Sequence, residues 1–227
     1  YSSRRQRQMC IRDRFNEMKK INKYQIELNS ASKFLREGQI IAIPTDTYYG
    51  LACDPFNFEA LNKLFELKER DIGKPLPLLI SAKEDLLNYG VDYTEFENLL
   101  DAFWPGPLTV VMKTRHKFYS GLIENDGYVG FRVPNLDFVR DLIKSSGIPI
   151  TGTSANISGQ PETKDINVLK DSLDLNIVKM IISINCGKEQ SASTVIKLSK
   201  ARMKMLREGP IKSNEIKEIL GNGYKYE

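Results

Sequence analysis

Three cations stand within seven residues in Lys68-Glu-Arg-Asp-Ile-Gly-Lys74. An arginine fork and two lysine point charges at that spacing can hold a triphosphate. The same run also fits cations closing a helix against its dipole, and on these residues alone both readings stay open. In Thr151-Gly-Thr-Ser-Ala-Asn-Ile-Ser-Gly159, six of nine residues are Gly, Ser or Thr. Successive N–H groups in such a loop make an anion nest, and its hydroxyls and the Asn156 amide add donors. A third cluster, Pro44-Thr-Asp-Thr-Tyr-Tyr-Gly50, follows an apolar run from Ile40 to Ile43. Convergent polar groups at the end of a buried strand can hold a small polar ligand, and they can equally cap a turn. Two smaller groups complete the set. Trp104-Pro-Gly-Pro-Leu-Thr109 sets a rigid corner with a hydroxyl at its exit, and Trp104 reads as core. Ser193-Thr194 opens one strand, and Arg207 closes the next before Gly209-Pro210, where it could clamp a phosphate or carboxylate.

What is missing from the sequence narrows the chemistry. There is no GxxxxGK[ST] and no GxGxxG. The single histidine, His116, lies in a polar stretch that reads as exposed, without HExxH or GxSxG to give it a partner. Chemistry here must run on hydroxyls, cations and a bound metal. Nucleotidyl transfer, in which positioning and charge neutralisation carry the catalysis, has that character.

The elements that must position these groups alternate between helix and strand, as in α/β or α+β proteins. Asn29 to Gly38 reads as a helix with Ser30 as N-cap and Gly38 as its stop. Ile40–Pro44 reads as a strand and Glu59–Glu69 as an amphipathic helix. Strands follow at Leu76–Ser81, Leu108–Lys113, Tyr128–Val133, Ile148–Thr151, Val178–Ile184, Thr194–Leu198 and Met203–Arg207. Helices are expected at Glu84–Tyr89, Thr94–Phe103, Leu136–Ser146 and Ser213–Leu220, the last capped by Ser213.

At 227 residues, 41% hydrophobic and 27% charged, the chain suits one domain. No apolar run of about 18 residues marks a membrane span. Three widely spaced cysteines without CxxC support neither a disulfide framework nor a zinc site, which makes a reduced cytoplasmic setting the default. Of the net charge of +4, the segment 1–17 carries +3 through Arg4, Arg5, Arg7, Arg12 and Arg14 against Asp13 and Glu17. That segment reads as a leader outside the domain, non-native or disordered, with Met18 as the start of the domain at 18–227. The body's own +1 is poor evidence for a nucleic-acid surface.

Eight motifs occur in one order over roughly residues 30–212: Pro44-Thr-Asp-Thr-Tyr-Tyr-Gly-Leu51, Lys68-x-Arg70, Lys74-Pro-Leu-Pro-Leu-Leu79, Pro105-Gly-Pro-Leu-Thr109, Gly130-Phe-Arg-Val-Pro134, Thr153-Ser-Ala-Asn-Ile-Ser-Gly159, Ser193-Thr-Val195 and Arg207-Glu-Gly209. In these the chain resembles the YrdC-like family, and its length resembles the single-domain threonylcarbamoyl-AMP synthases. The resemblance implies a single-domain twisted mixed β-sheet flanked by helices, with a concave basic pocket. It implies a nucleotidyltransferase that makes threonylcarbamoyl-AMP and pyrophosphate from L-threonine, bicarbonate and ATP with Mg²⁺. A downstream transferase would pass the threonylcarbamoyl group to adenosine 37 of tRNA, with tRNA a further partner of the chain itself. By the same resemblance, Thr47, Lys113 and Ser193 would contact threonine, and Lys68, Arg70, Lys74, Thr109, Ser154, Asn156 and Arg207 would hold ATP. No residue is expected to act as a covalent nucleophile or to bind metal on its own. Asp71 stands where the family has proline, Leu79 where two-domain members often carry histidine, and Tyr48 where the family has an aliphatic residue. The alternative is a non-enzymatic module of this fold that binds double-stranded RNA or tRNA.

Overall fold

The computed structural model describes residues 2–124 and 126–227, with side chains for Gln6 and from Lys19 onward. Strand β1 (Ile40–Ile43) is buried on both faces: Ile40 and Ala42 enter one apolar core, Ile41 and Ile43 another. Side chains alternate along a strand, so an unbroken apolar run is what double-sided burial requires.

The helix before it, α1, runs Ser2–Arg36, far longer than expected. No glycine or proline interrupts residues 1–37, so Ser30 lies inside the helix and caps nothing. The helical backbone includes the segment from Ser2 that the sequence sets apart. Its stop is as expected: Gly38 is left-handed at φ 68°, and the N–H groups of Gly38 and Gln39 close on the carbonyls of Leu35 and Phe34. Leu28, Ala31 and Leu35 pack in the second core with Phe138, Val139 and Leu142 of α4 (Asp137–Ser146).

The strands form two mixed sheets where one was expected, within a single mixed α/β domain. A four-stranded sheet has the order β7-β2-β1-β8, with β2 (Gly50–Ala52), β7 (Thr153–Ser154) and β8 (Val178–Ile181). A seven-stranded sheet has the order β11-β10-β9-β4-β5-β3-β6. Its strands are β3 (Leu78–Leu79), β4 (Leu108–Lys113), β5 (Tyr128–Arg132), β6 (Ile150–Thr151), β9 (Thr194–Ser199), β10 (Arg202–Arg207) and β11 (Lys225–Tyr226). Between β6 and β7 the chain passes from one sheet to the other at the single residue Gly152. A Cβ there would lie 2.7 Å from the Leu79 side chain, so the crossing needs glycine. The Thr151 N–H bonds to the Cys53 carbonyl and its hydroxyl accepts the Cys53 N–H, which ties the sheets together at that point.

Helix α2 (Phe58–Leu67) starts on Asn57, whose side chain accepts the Ala60 N–H, and buries Ala60, Leu61, Leu64 and Phe65. The expected helices at 84–89 and 94–103 are a 3-10 turn (Lys83–Tyr89) and a second 3-10 turn (Thr94–Phe96) leading into α3 (Glu97–Phe103). Helix α5 (Ile166–Ser172) buries only Leu169, too little for an apolar period to show in the sequence. Ser213 is the first residue of α6 (Ser213–Leu220), not its cap; Lys212 precedes the helix, and its N–H is taken by the Glu215 carboxylate at 2.7 Å. Among the described residues no helix is long and apolar enough to cross a membrane.

Candidate active site

The elbow after β1 is buried. The Thr45 hydroxyl accepts the Thr47 N–H (3.1 Å), donates to the Tyr48 carbonyl (2.7 Å) and lies 3.0 Å from the Thr47 hydroxyl. Thr45 thus holds the turn, and Thr47 faces a cleft where the two sheets meet. The two tyrosines divide their work. Tyr49 is core: its hydroxyl donates to the carbonyls of Ile182 and Ile184, and burial pushes it up to about 12. Tyr48 donates to the Gln190 carbonyl (2.7 Å) and walls the cleft.

Opposite Thr47 stands Arg132, at the end of β5. Its Nε donates to the Gly106 carbonyl (3.1 Å) and one terminal nitrogen pairs with Asp46 at 2.6 Å. Its other terminal nitrogen lies 3.5 Å from the Thr47 hydroxyl. Arg132 and Asp46 are both buried, and one Asp46 oxygen has no partner among the described residues. A buried pair of this kind fixes geometry more than it stabilises. No role was expected for Arg132. The signal lay in strand alternation: Tyr128, Gly130 and Arg132 share one face of β5, and all three line the cleft.

A second polar group closes the far wall. The Thr109 and Ser193 hydroxyls lie 2.9 Å apart, and Arg207 donates to the Ser193 hydroxyl (3.1 Å) and carbonyl (2.9 Å). Parallel pairing of β4 with β9 sets this contact, with Thr109 opposite Val195. A register shift between Met205 and Arg207 lets Leu206 and Arg207 both line the cleft, which strict alternation would forbid. Thr194 turns away: its hydroxyl donates to the Ile211 carbonyl and accepts the N–H groups of Gly209 and Ile211.

At the end of α2, Arg70 enters the cleft. Its Nε and one terminal nitrogen are held by the carbonyls of Lys74 (2.9 Å) and Pro75 (3.3 Å). Burial, and then the like charge of Arg207, lower its pKa. The cleft thus gathers three guanidiniums, from Arg70, Arg132 and Arg207, with the hydroxyls of Thr47, Thr109, Ser154 and Ser193. Its lining carboxylates are Glu124, paired with Lys197 at 2.5 Å, and Glu162, which has no ion pair among the described residues. Such a set attracts an anion bearing several charged oxygens.

Of the ten residues singled out in the sequence, Thr47, Arg70, Thr109, Ser154, Ser193 and Arg207 line this one cleft. The other four do not. Lys68 is 2% exposed and spends its ammonium on the end of β7 and the loop after it: on the carbonyls of Ser154 (2.5 Å) and Asn156 (2.6 Å) and, at 3.4 Å, on the Asn156 side chain. Asn156 gives its amide to the Gln160 carbonyl. Lys74 is exposed and contributes its carbonyl to Arg70. Lys113 lies beyond Thr109 and Val111 on the same face of β4, exposed past the rim. Asp71 accepts the Gly73 N–H (2.9 Å) in an exposed turn, whereas Leu79 lines the cleft. Trp104 is core, its indole donating to the Leu108 carbonyl.

A cleft of cations and hydroxyls between two mixed sheets, without a nucleophile–base pair, defines a polyanion-handling α/β protein. The chain belongs to the Sua5/YciO/YrdC family, whose model, described as telomere recombination, matches residues 33–209. It is 32% identical over 184 residues to a putative threonylcarbamoyl-AMP synthase of Methanocaldococcus jannaschii, covering 81% of this chain and 86% of that one. It is 33% identical over 161 residues to the threonylcarbamoyl-AMP synthase of Vibrio campbellii, covering 70% and 87%. Among solved structures, P. abyssi Sua5 complexed with L-threonine superposes with a TM-score of 0.77 at 30% identity. That match covers 88% of this chain, which spans 58% of the P. abyssi chain.

Proposed function

We propose that this chain is an L-threonylcarbamoyladenylate synthase. The threonine amine attacks the carbon of bicarbonate, giving a carbamate and water. A carbamate oxygen then attacks the α-phosphorus of ATP, and pyrophosphate leaves with the electron pair of the broken P–O bond. The observation that carries this reading is the convergence of Arg70, Arg132 and Arg207 with four hydroxyls in one cleft. The relatives' names and the threonine bound to P. abyssi Sua5 support the same substrates.

Arg132, with one terminal nitrogen turned to Thr47, is suited to the amino-acid carboxylate, with Ser193 nearby on the far wall. Arg70, Arg207, Thr109 and Ser154 are suited to phosphates. Mg²⁺ would enter with the triphosphate: the Glu162 carboxylate plus phosphate oxygens is the kind of donor set it takes, and it would neutralise charge on the leaving pyrophosphate. The chain's own residues do no covalent work; they hold the carbamate oxygen in line with the α-phosphorus and absorb charge. The product would pass, in the cytoplasm, to a transferase acting on tRNA.

Incubating the protein with ATP, L-threonine and ¹³C-bicarbonate tests this reading. Threonylcarbamoyl-AMP carrying the label in its carbamoyl carbon is the expected product. ATP consumed without that adduct would overturn the proposal.

A further inference from the structure

Lys68 is the first residue past α2 and is almost wholly buried, yet it lies outside the cleft lining. Its ammonium has three protons and three oxygen neighbours, all from Ser154 and Asn156. Its own carbonyl accepts the Ser158 N–H at 3.0 Å. One residue therefore grips the end of β7 and the loop after it, through both its side chain and its backbone carbonyl.

The direction of that grip has a consequence. In a trans peptide the N–H points opposite to the carbonyl. With the Ser154 carbonyl drawn to Lys68, the Ala155 N–H turns the other way and pairs with the Tyr49 carbonyl at 2.9 Å, beside the β2–β7 ladder. With the Asn156 carbonyl drawn to Lys68, the Ile157 N–H also turns away, and among the described residues it has no protein acceptor. The Ser154 side chain is left facing the cleft. Gathering these carbonyls onto a buried cation withdraws two acceptors from the cleft side and leaves the Ile157 N–H as an unspent donor among the described residues.

We propose that Lys68 is a positioning residue for the nucleotide: its ammonium fixes the backbone of 154–157, and with it the Ser154 side chain that faces the cleft, and does not touch the substrate. This rests on the reading of the cleft as an ATP site. Direct phosphate binding would require the ammonium to release these half-buried carbonyls, each of which then loses its Lys68 donor.

Amide hydrogen exchange on the ligand-free protein, paired with ATP binding by calorimetry, separates the possibilities. In Lys68→Met the amides of residues 153–158 should exchange at least about tenfold faster and ATP affinity should fall at least about tenfold, with exchange in β4 and β5 unchanged. Lost ATP affinity with unaltered loop exchange would make Lys68 a direct ligand and overturn the proposal. So would a loosened loop with undiminished ATP affinity. Should Lys68→Met not fold, Lys68→Gln, which keeps two donors at shorter reach, is read by the same two measurements. If the wild type binds no ATP, the ATP reading fails, whereas the exchange result still reports on the latch.

Discussion

Arg132 has one edge of its guanidinium spent on Asp46 and the Gly106 carbonyl, which leaves one terminal nitrogen for the cleft. Replacing it strands a buried carboxylate. Arg132→Met should cost about 3–5 kcal/mol in denaturant unfolding, because Asp46 is left uncompensated. Adding Asp46→Asn should recover most of that stability, while threonine-dependent turnover stays lost; recovered turnover would return the pair to a purely structural role. Arg70 is different, since its partners are loop carbonyls. Arg70→Ala should abolish activity and leave the melting temperature nearly unchanged.

Lys68 offers a pH test with two opposed readouts. Burial first, and then the like charge of Arg70, bring its ammonium down from 10.5 to about 8, against the opposing pull of Glu162. The folded pKa is thus below the unfolded one. Between the two values the unfolded chain holds a proton that the folded chain has released, so Lys68's penalty on stability fades as pH rises above about 8. Nucleotide binding goes the other way: the loop loses a donor and the cleft a nearby charge. The KM for ATP should therefore climb above pH 8 with no loss of stability traceable to Lys68. Lys68→Met should lack that limb.

Among the elements, β4 and β5 were readable to within a residue, because β-branched and aromatic residues at alternate buried positions, between turn residues, have few alternative readings. Strands β2, β7 and β11 are two or three residues long and carry no period of their own; they exist because a neighbour presents an edge. The division into two sheets was hidden for the same reason: one of the crossings between them, from β6 to β7, is the single residue Gly152. Gly152→Ala should cost about 1–3 kcal/mol in stability through the clash with Leu79, and Leu79→Ala in that background should relieve part of it. Additive losses would mean that the crossing is not where the sheets are held. Six of the ten residues singled out line the cleft, because strand ends and a glycine-rich loop carry them. Arg132 shows in the sequence only through the alternation of β5, and a sequence does not show which way a buried cation such as Lys68 turns.

Across the whole molecule, charge is concentrated rather than abundant. The chain outside residues 1–17 carries only +1, yet three arginines share one cleft at the junction of the two sheets. Concentrated charge of this kind recruits a compact polyanion, whereas a broad polyanion such as an RNA helix needs cations spread over a face. Pyrophosphate release from ATP, measured with threonine and bicarbonate each omitted in turn, tests the proposed function most directly. Release that requires both is the result predicted. Release that is indifferent to threonine would contradict the assignment of Thr47 and Arg132 to an amino acid, and with it the proposed function.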